Sequence, residues 1–262
     1  VEVDGELYET GAAIAIRQNE YITGFAKLLN ISTRPPSHEG TQMGIWDGNT
    51  REFVFLEVAA APADVSWWWR PVAWLWRKVS SPLQMVYRYG LSLSSLTRMV
   101  KDTVTKFVGI YTRQQNGEAF ISVEAMLRAL ELLDTTQQSL QHYARDRLGE
   151  KGDLLVRELG SAVNRNNYNQ DITMTALPGM IGLAPLVYGS SSIYAVQGGF
   201  DGICQGLLAR SRARIQLRAH VTTIRATKAS SGKLAYSLEL SAQSAPCSGL
   251  QLDGFDAVVI AT

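Results

Sequence analysis

Apolar and polar positions change their period several times along this chain, and each change marks a switch between strand and helix. Val1-Glu-Val-Asp-Gly-Glu-Leu-Tyr alternates at a period of two around Asp4-Gly5, the pattern of two short strands joined by a tight hairpin turn. Glu20 to Leu29 reads as a helix, and Met43–Trp46 and Phe53–Phe55 read as a second strand pair with Asp47-Gly48-Asn49 between them. From Trp67 to Leu148 the spacing becomes helical, with Val86, Leu93, Leu96, Val100, Val104, Phe107, Val108 and Tyr111 recurring at three or four. Ser122 stands where it can cap the helix that follows, although Ala125 denies it the glutamate of a full capping box. Further helices are expected over Thr136–Leu148 and Leu154–Val163, ahead of a polar knot at Asn164-Arg-Asn-Asn-Tyr-Asn-Gln170. Ala176 to Leu186, rich in small residues with two Pro, predicts irregular backbone or a short helix.

The period then returns to two. Gly198-Gly199 opens a short helix from Asp201 to Arg210, Arg214–Val221 reads as a strand, and Phe255–Thr262 reads as a continuous apolar strand. A helical block between strand-rich ends predicts a mixed α/β chain in which one domain interrupts another. Residues 1–60 and 190–262 would form one domain and 61–189 a mainly helical one.

Composition narrows the function classes. The chain has 262 residues, 46% hydrophobic and 19% charged, with 25 Lys+Arg against 24 Asp+Glu and a formal charge of +1. No overall field steers it toward nucleic acid, which is not an expected partner. His38, His142 and His220 lack metal-ligand spacing, and Cys204 and Cys247 make no metal site, so no metal is expected. Cys204 is expected to be a buried small hydrophobe. Asn30-Ile31-Ser32 is an N-glycosylation sequon. Trp67, Trp68, Trp69, Trp74 and Trp76, with Arg70, Arg77 and Lys78, suit either a packed helical hairpin or peripheral contact with a membrane interface.

The order of Gly-Gly helix, Val-x-x-Ile strand and Asp256-Ala-Val-Val-Ile-Ala-Thr262 resembles FAD-dependent oxidases and desaturases of the amine-oxidase type. Tyr8-Glu-Thr-Gly-Ala, Ser122-Val-Glu, Arg165-Asn-Asn-Tyr-Asn-Gln170 and Ile193-Tyr-Ala-Val-Gln-Gly-Gly199 are similar to blocks of the prenylcysteine oxidases, also called farnesylcysteine lyases, in the same order. The resemblance implies a Rossmann-like FAD/NAD(P)-binding fold with an inserted helical substrate domain, incomplete here. It implies FAD as cofactor, farnesyl- or geranylgeranyl-cysteine as substrate and molecular oxygen as acceptor, with cysteine, a prenyl aldehyde and hydrogen peroxide as products. It also leans toward a lysosomal or other secretory compartment. No Gly-x-Gly-x-x-Gly loop occurs in the sequence, so the chain is expected to be part of a longer protein.

By the same resemblance Gly11, Ala12 and Ala13 bring backbone close to the flavin, Val221 holds the adenine ring through its backbone, and Ala261-Thr262 lie at the ligand edge. Small residues at a strand-to-loop turn are equally consistent with tight packing at Gly11–Ala13. Glu9 reads as an acceptor near the cofactor or as a surface carboxylate. Asn167 and Tyr168 are the catalytic candidates, and Asn166, Tyr168 and Tyr194 the substrate-binding ones. A capped helix end is the competing reading of that polar knot. The family usually has Gly where Asn169 stands, and Asn tolerates the left-handed backbone that Gly implies. Two other readings remain open: another flavin oxidase or desaturase of the amine-oxidase type, and a non-catalytic module that binds lipid or partner surfaces.

Overall fold

A computed structural model describes residues 2–7, 9–11, 13–35, 44–48, 50–56, 83–228, 232–241 and 251–261. The chain divides into two compact units, residues 1–207 and 208–262. Ala12, Thr262, Cys247 and the tryptophans from Trp67 to Trp76 lie outside the described residues.

Unit 1 opens with β1 (Glu2–Val3) and β2 (Glu6–Leu7), paired antiparallel. The turn between them has φ of 53° at Asp4 and 82° at Gly5, the two positive values a type I′ hairpin turn needs. β3 (Ala15–Ile16) leads to α1 (Glu20–Leu28), whose first turn is capped by Asn19: its side-chain oxygen accepts the Ile22 N–H at 3.1 Å. β4 (Thr33–Arg34) follows, then the hairpin of β5 (Gly44–Asp47) and β6 (Glu52–Leu56).

The helical block begins with residues 83–89 (α2) and continues through α3 (Ser92–Gln115), α4 (Val123–Ala129), α5 (Leu140–Leu155), one wide π turn at Val156–Gly160 and α6 (Ser161–Tyr168). Ser122 caps α4 as its position predicts, accepting the Ala125 N–H at 3.1 Å. α7 (Ala176–Gly182) and α8 (Ala184–Tyr188) complete it, so the stretch rich in small residues is two short helices rather than irregular chain. β7 (Ile193–Val196) then runs between β3 and β4, antiparallel to both, and α9 (Asp201–Ser211) follows the Gly198-Gly199 turn.

The main core lies among the helices. Val100 of α3, Leu140 and Ala144 of α5, Val156 of the π turn and Met180 of α7 have no exposed surface, and Tyr89 of α2 keeps 1%. A smaller core sits where α1 and α9 cover the β3-β7-β4 sheet, around Ala26, Tyr194, Val196 and Ile203.

Unit 2 is a meander of β8 (Val221–Lys228), β9 (Leu234–Leu240) and β10 (Gln251–Phe255), in the order β10-β9-β8. Every strand pairing among the described residues of the chain is antiparallel. Two sequence expectations fail here, for the same reason. The strand expected over Arg214–Val221 begins only at Val221, because left-handed backbone at Arg212 and Arg218 breaks the run. The whole of β9 is then taken up in register with Val221–Lys228, leaving no ladder for Ile215 and Leu217. Likewise the chain leaves the sheet after Phe255, which pairs with Tyr236, and the apolar run to Ile260 is unpaired with Val259 89% exposed. Apolar alternation makes a strand only where a neighbour supplies hydrogen bonds.

Candidate functional site

The polar knot is the last turns of α6. Asn164 is fully buried, and its amide nitrogen donates to the carbonyl of Gly160 at 3.0 Å and to that of Gly179 on α7 at 3.4 Å. One turn on, the Asn167 amide donates to the Gly182 carbonyl at 2.9 Å. Two amides three residues apart on α6 therefore grip two carbonyls three residues apart on α7.

The helices approach so closely that only glycine fits at 182. A Cβ there would stand 2.3 Å from Asn164 Oδ1 and 2.7 Å from Tyr168 Cε2. Gly179 faces α5 in the same way, 2.8 Å from Leu140 Cδ2. Asn164 Oδ1 is buried with no hydrogen-bond partner among the described residues, a standing cost that the two donor bonds offset.

This clasp fixes Tyr168 against Gly182 with the ring half-exposed. Burial pushes its phenol above the ordinary tyrosine value, so the hydroxyl stays a neutral donor at physiological pH. Asn166 and Asn167 are exposed beside it. Asn169 ends α6 in the left-handed conformation, φ 52° and ψ 33°, as its replacement of glycine predicts. Beyond it Asp171 gathers the Arg165 guanidinium, the Ile172 N–H and the Ser161 hydroxyl, and together these hold its carboxyl below the usual range.

The other predicted residues lie elsewhere. Tyr194 is 1% exposed in the smaller core, its hydroxyl 3.0 Å from Thr23 Oγ1 and its ring under the Arg17 guanidinium. Glu9 turns toward α9 and accepts the Phe200 N–H, so a carboxylate of the chain itself occupies the positive end of that helix. Gly11 has open space where a Cβ would be, and Ala13 is exposed. Val221, at the start of β8, and Ala261 are both exposed in unit 2. Within unit 1, the open space at Gly11 leaves the backbone accessible to a flat cofactor, and that is its fit to FAD. Cys204, expected to be buried, lies on the exposed side of α9, because helical period alone does not say which face meets the sheet.

Two clusters escaped the sequence reading. Glu158, on the π turn, accepts Arg88 Nε at 2.6 Å and the buried Tyr89 hydroxyl at 2.8 Å, tying α2 to the helical block. Burial works to raise its carboxyl, and the Arg88 and Tyr89 bonds override it and hold it low. Asp153 receives Gln141 Nε2 and Arg145 at 3.1 Å each and Arg157 at 3.0 Å. Burial again opposes a shift that these donors and charges turn downward. The available signal was acidic residues inside the apolar run Asp153-Leu-Leu-Val-Arg-Glu-Leu159, positions that require partners.

A family model described as prenylcysteine lyase matches residues 74–262. The chain belongs to the prenylcysteine lyase family. It is 27% identical over 226 residues to a farnesylcysteine lyase of Arabidopsis thaliana, covering 86% of this chain and 43% of that protein. Against a prenylcysteine oxidase 1 of Mus musculus it is 27% identical over 217 residues, 82% of this chain and 38% of the relative. A prenylcysteine oxidase 1-like protein of Bos taurus is 29% identical over 267 aligned residues, all of this chain and 47% of the relative. The chain thus spans less than half the length of these curated relatives.

Proposed function

We propose that this protein oxidises the thioether of farnesyl- or geranylgeranyl-cysteine, using water and molecular oxygen and yielding cysteine, a prenyl aldehyde and hydrogen peroxide. Membership of the prenylcysteine lyase family over residues 74–262 carries this reading. The family likeness also supports a Rossmann-like FAD-binding domain formed with residues 1–60 and 190–262, and a helical substrate domain over residues 61–189.

When bound, FAD supplies a hydride acceptor for the carbon that joins sulfur to the allyl group. Gly11, Ala12, Ala13, Val221, Ala261 and Thr262 are the residues assigned to hold it, and open backbone at Gly11 supports that assignment. Tyr168 and Asn166 orient the amino-acid end of the substrate, the neutral phenol donating to its carboxylate. Asn167 keeps Tyr168 in place through Gly182. Tyr194 acts from within the core, holding β7 beneath α1.

The exposed Asn30, at the end of α1, is assigned as a glycan acceptor in a lysosomal or other secretory compartment. Peripheral membrane contact near Trp67–Trp76 belongs to the same reading, since prenyl groups are drawn from lipid-like surroundings.

The test is peroxide and cysteine release when farnesylcysteine is added to the flavin-loaded protein expressed from its complete reading frame. Both products are expected, with none from polyamines. Peroxide from polyamines alone would move the protein to the amine oxidases, and no product from either would end the oxidase reading. Tyr168→Phe should lower kcat/KM by about 10- to 100-fold, the worth of one hydrogen bond to a charged group, with thermal stability unchanged.

A further inference from the structure

We propose that the outward face of residues 83–101 is a docking surface for an anionic lipid bilayer. α2 carries apolar side chains on two opposite sides. Met85 and Tyr89, one turn apart, pack into the main core. Leu83 and Tyr87, also one turn apart, fall on the opposite side of the helix and are 58% and 90% exposed. Val86 and Leu91 flank them at 54% and 84%. Leu83, Val86 and Tyr87 are open along α2, Leu91 is open at the start of α3 past the left-handed Gly90, and large side chains so exposed mark a surface that meets something apolar.

Charge says what that is. Residues 83–101 contain Arg88, Arg98 and Lys101 and no Asp or Glu, and the next acid along α3, Asp102, is paired with Lys106. Because the whole chain balances at +1, the remainder carries more acid than base. Arg88 is engaged by Glu158, but Arg98 and Lys101 are exposed and meet no carboxylate among the described residues.

Leu91, Ser94, Arg98 and Lys101 follow helical spacing and are all exposed, so the cations extend along α3 the face that Leu91 begins. Apolar side chains ending in a cationic strip suit an interface of acyl chains beneath anionic headgroups. Attachment is by a face that lies on the surface. No described helix is long and apolar enough to cross a membrane.

This deepens the membrane-contact part of the reading above, and the two can fail separately. Vesicle binding without peroxide release removes the catalytic reading alone; peroxide release without vesicle binding removes the docking surface alone.

The experiment is co-sedimentation of the full chain with phosphatidylcholine vesicles, with and without phosphatidylserine. Binding is expected only with phosphatidylserine and should weaken as salt rises. The double variant Arg98→Ser, Lys101→Ser should lower affinity by about fivefold per charge removed. The double variant Leu83→Ser, Tyr87→Ser should lower it by about tenfold or more, with the unfolding midpoint unchanged because both side chains are exposed. Equal binding to both vesicle types, or indifference to both double variants, overturns the proposal. So does concentration-dependent self-association that Leu83→Ser, Tyr87→Ser abolishes, which would give the stripe to a second copy of the chain.

Discussion

The two units solve the problem of apolar side chains in opposite ways. Unit 1 buries Leu140, Ala144, Leu155, Val156 and Met180 completely, whereas only Ser237 and Leu240 are buried among the described residues of unit 2. Unit 2 is not short of apolar residues: Ile215, Leu217, Val221, Ile224, Leu234, Val259 and Ile260 are each at least 40% exposed. Among the described residues, the three-stranded meander of unit 2 has an amphipathic pattern but buries too little to form a core of its own. Helices that cross on Gly179 and Gly182, by contrast, reach close packing within unit 1.

The sharpest way to break this comparison is to truncate one apolar side chain in each unit. Leu140→Ala should cost about 2–5 kcal/mol in urea unfolding followed by helical circular dichroism. Ile224→Ala in unit 2, 41% exposed, should cost less than about 1 kcal/mol. Similar costs would show that unit 2 is covered by something in solution.

Charges should follow the same division. Asp153→Asn in unit 1 is expected to cost about 1.5–3 kcal/mol at neutral pH. Arg225→Ser, which breaks an exposed pair with Glu239 in unit 2, should give no measurable change. The sign of the acid response follows from the depressed carboxyls of Asp153, Glu158 and Asp171. Their contribution is complete above the unfolded carboxylate range, about pH 4, and is lost as pH falls through their lower folded values. Asp153→Asn should therefore flatten the acid limb of the stability curve, and an unaltered limb would remove Asp153 from that role.

Asn164→Ala should destabilise by about 1–3 kcal/mol through the loss of the bonds to Gly160 and Gly179. Because Tyr168 rests on the same contact, substrate affinity should fall with it. The smallest effect belongs to the helix end: Asn169→Ala should cost about 1 kcal/mol for left-handed backbone, and Asn169→Gly close to nothing.

Much of unit 1 could be read from local pattern. The Asp4-Gly5 turn, α1, the capping of α4 by Ser122 and the left-handed Asn169 each depend on residues within one turn of chain. The polar knot shows the limit. Its string of amides announced hydrogen bonding, but the decisive partners are the carbonyls of Gly179 and Gly182, fifteen residues on. Gly-x-x-Gly on α7 matches Asn-x-x-Asn on α6 in spacing, a signal legible only once the two helices are known to cross. Cys204 and Arg214–Val221 misled for a related reason, since period gives an element and its faces but not the neighbour that each face meets.

The sequence by itself determined the helix over Glu20–Leu28, the helical character of α3, the cap at Ser122, the family to which the chain belongs and the concentration of positive charge from Val65 to Lys101. Those properties are local or additive along the chain. Only the tertiary structure decided that Asn164 and Asn167 clasp α7, that Glu9 occupies the end of α9, that Asp153 and Glu158 find their cations, and that Leu83 and Tyr87 of α2 are exposed. Each is fixed by how helices and strands pack rather than by what each segment prefers alone.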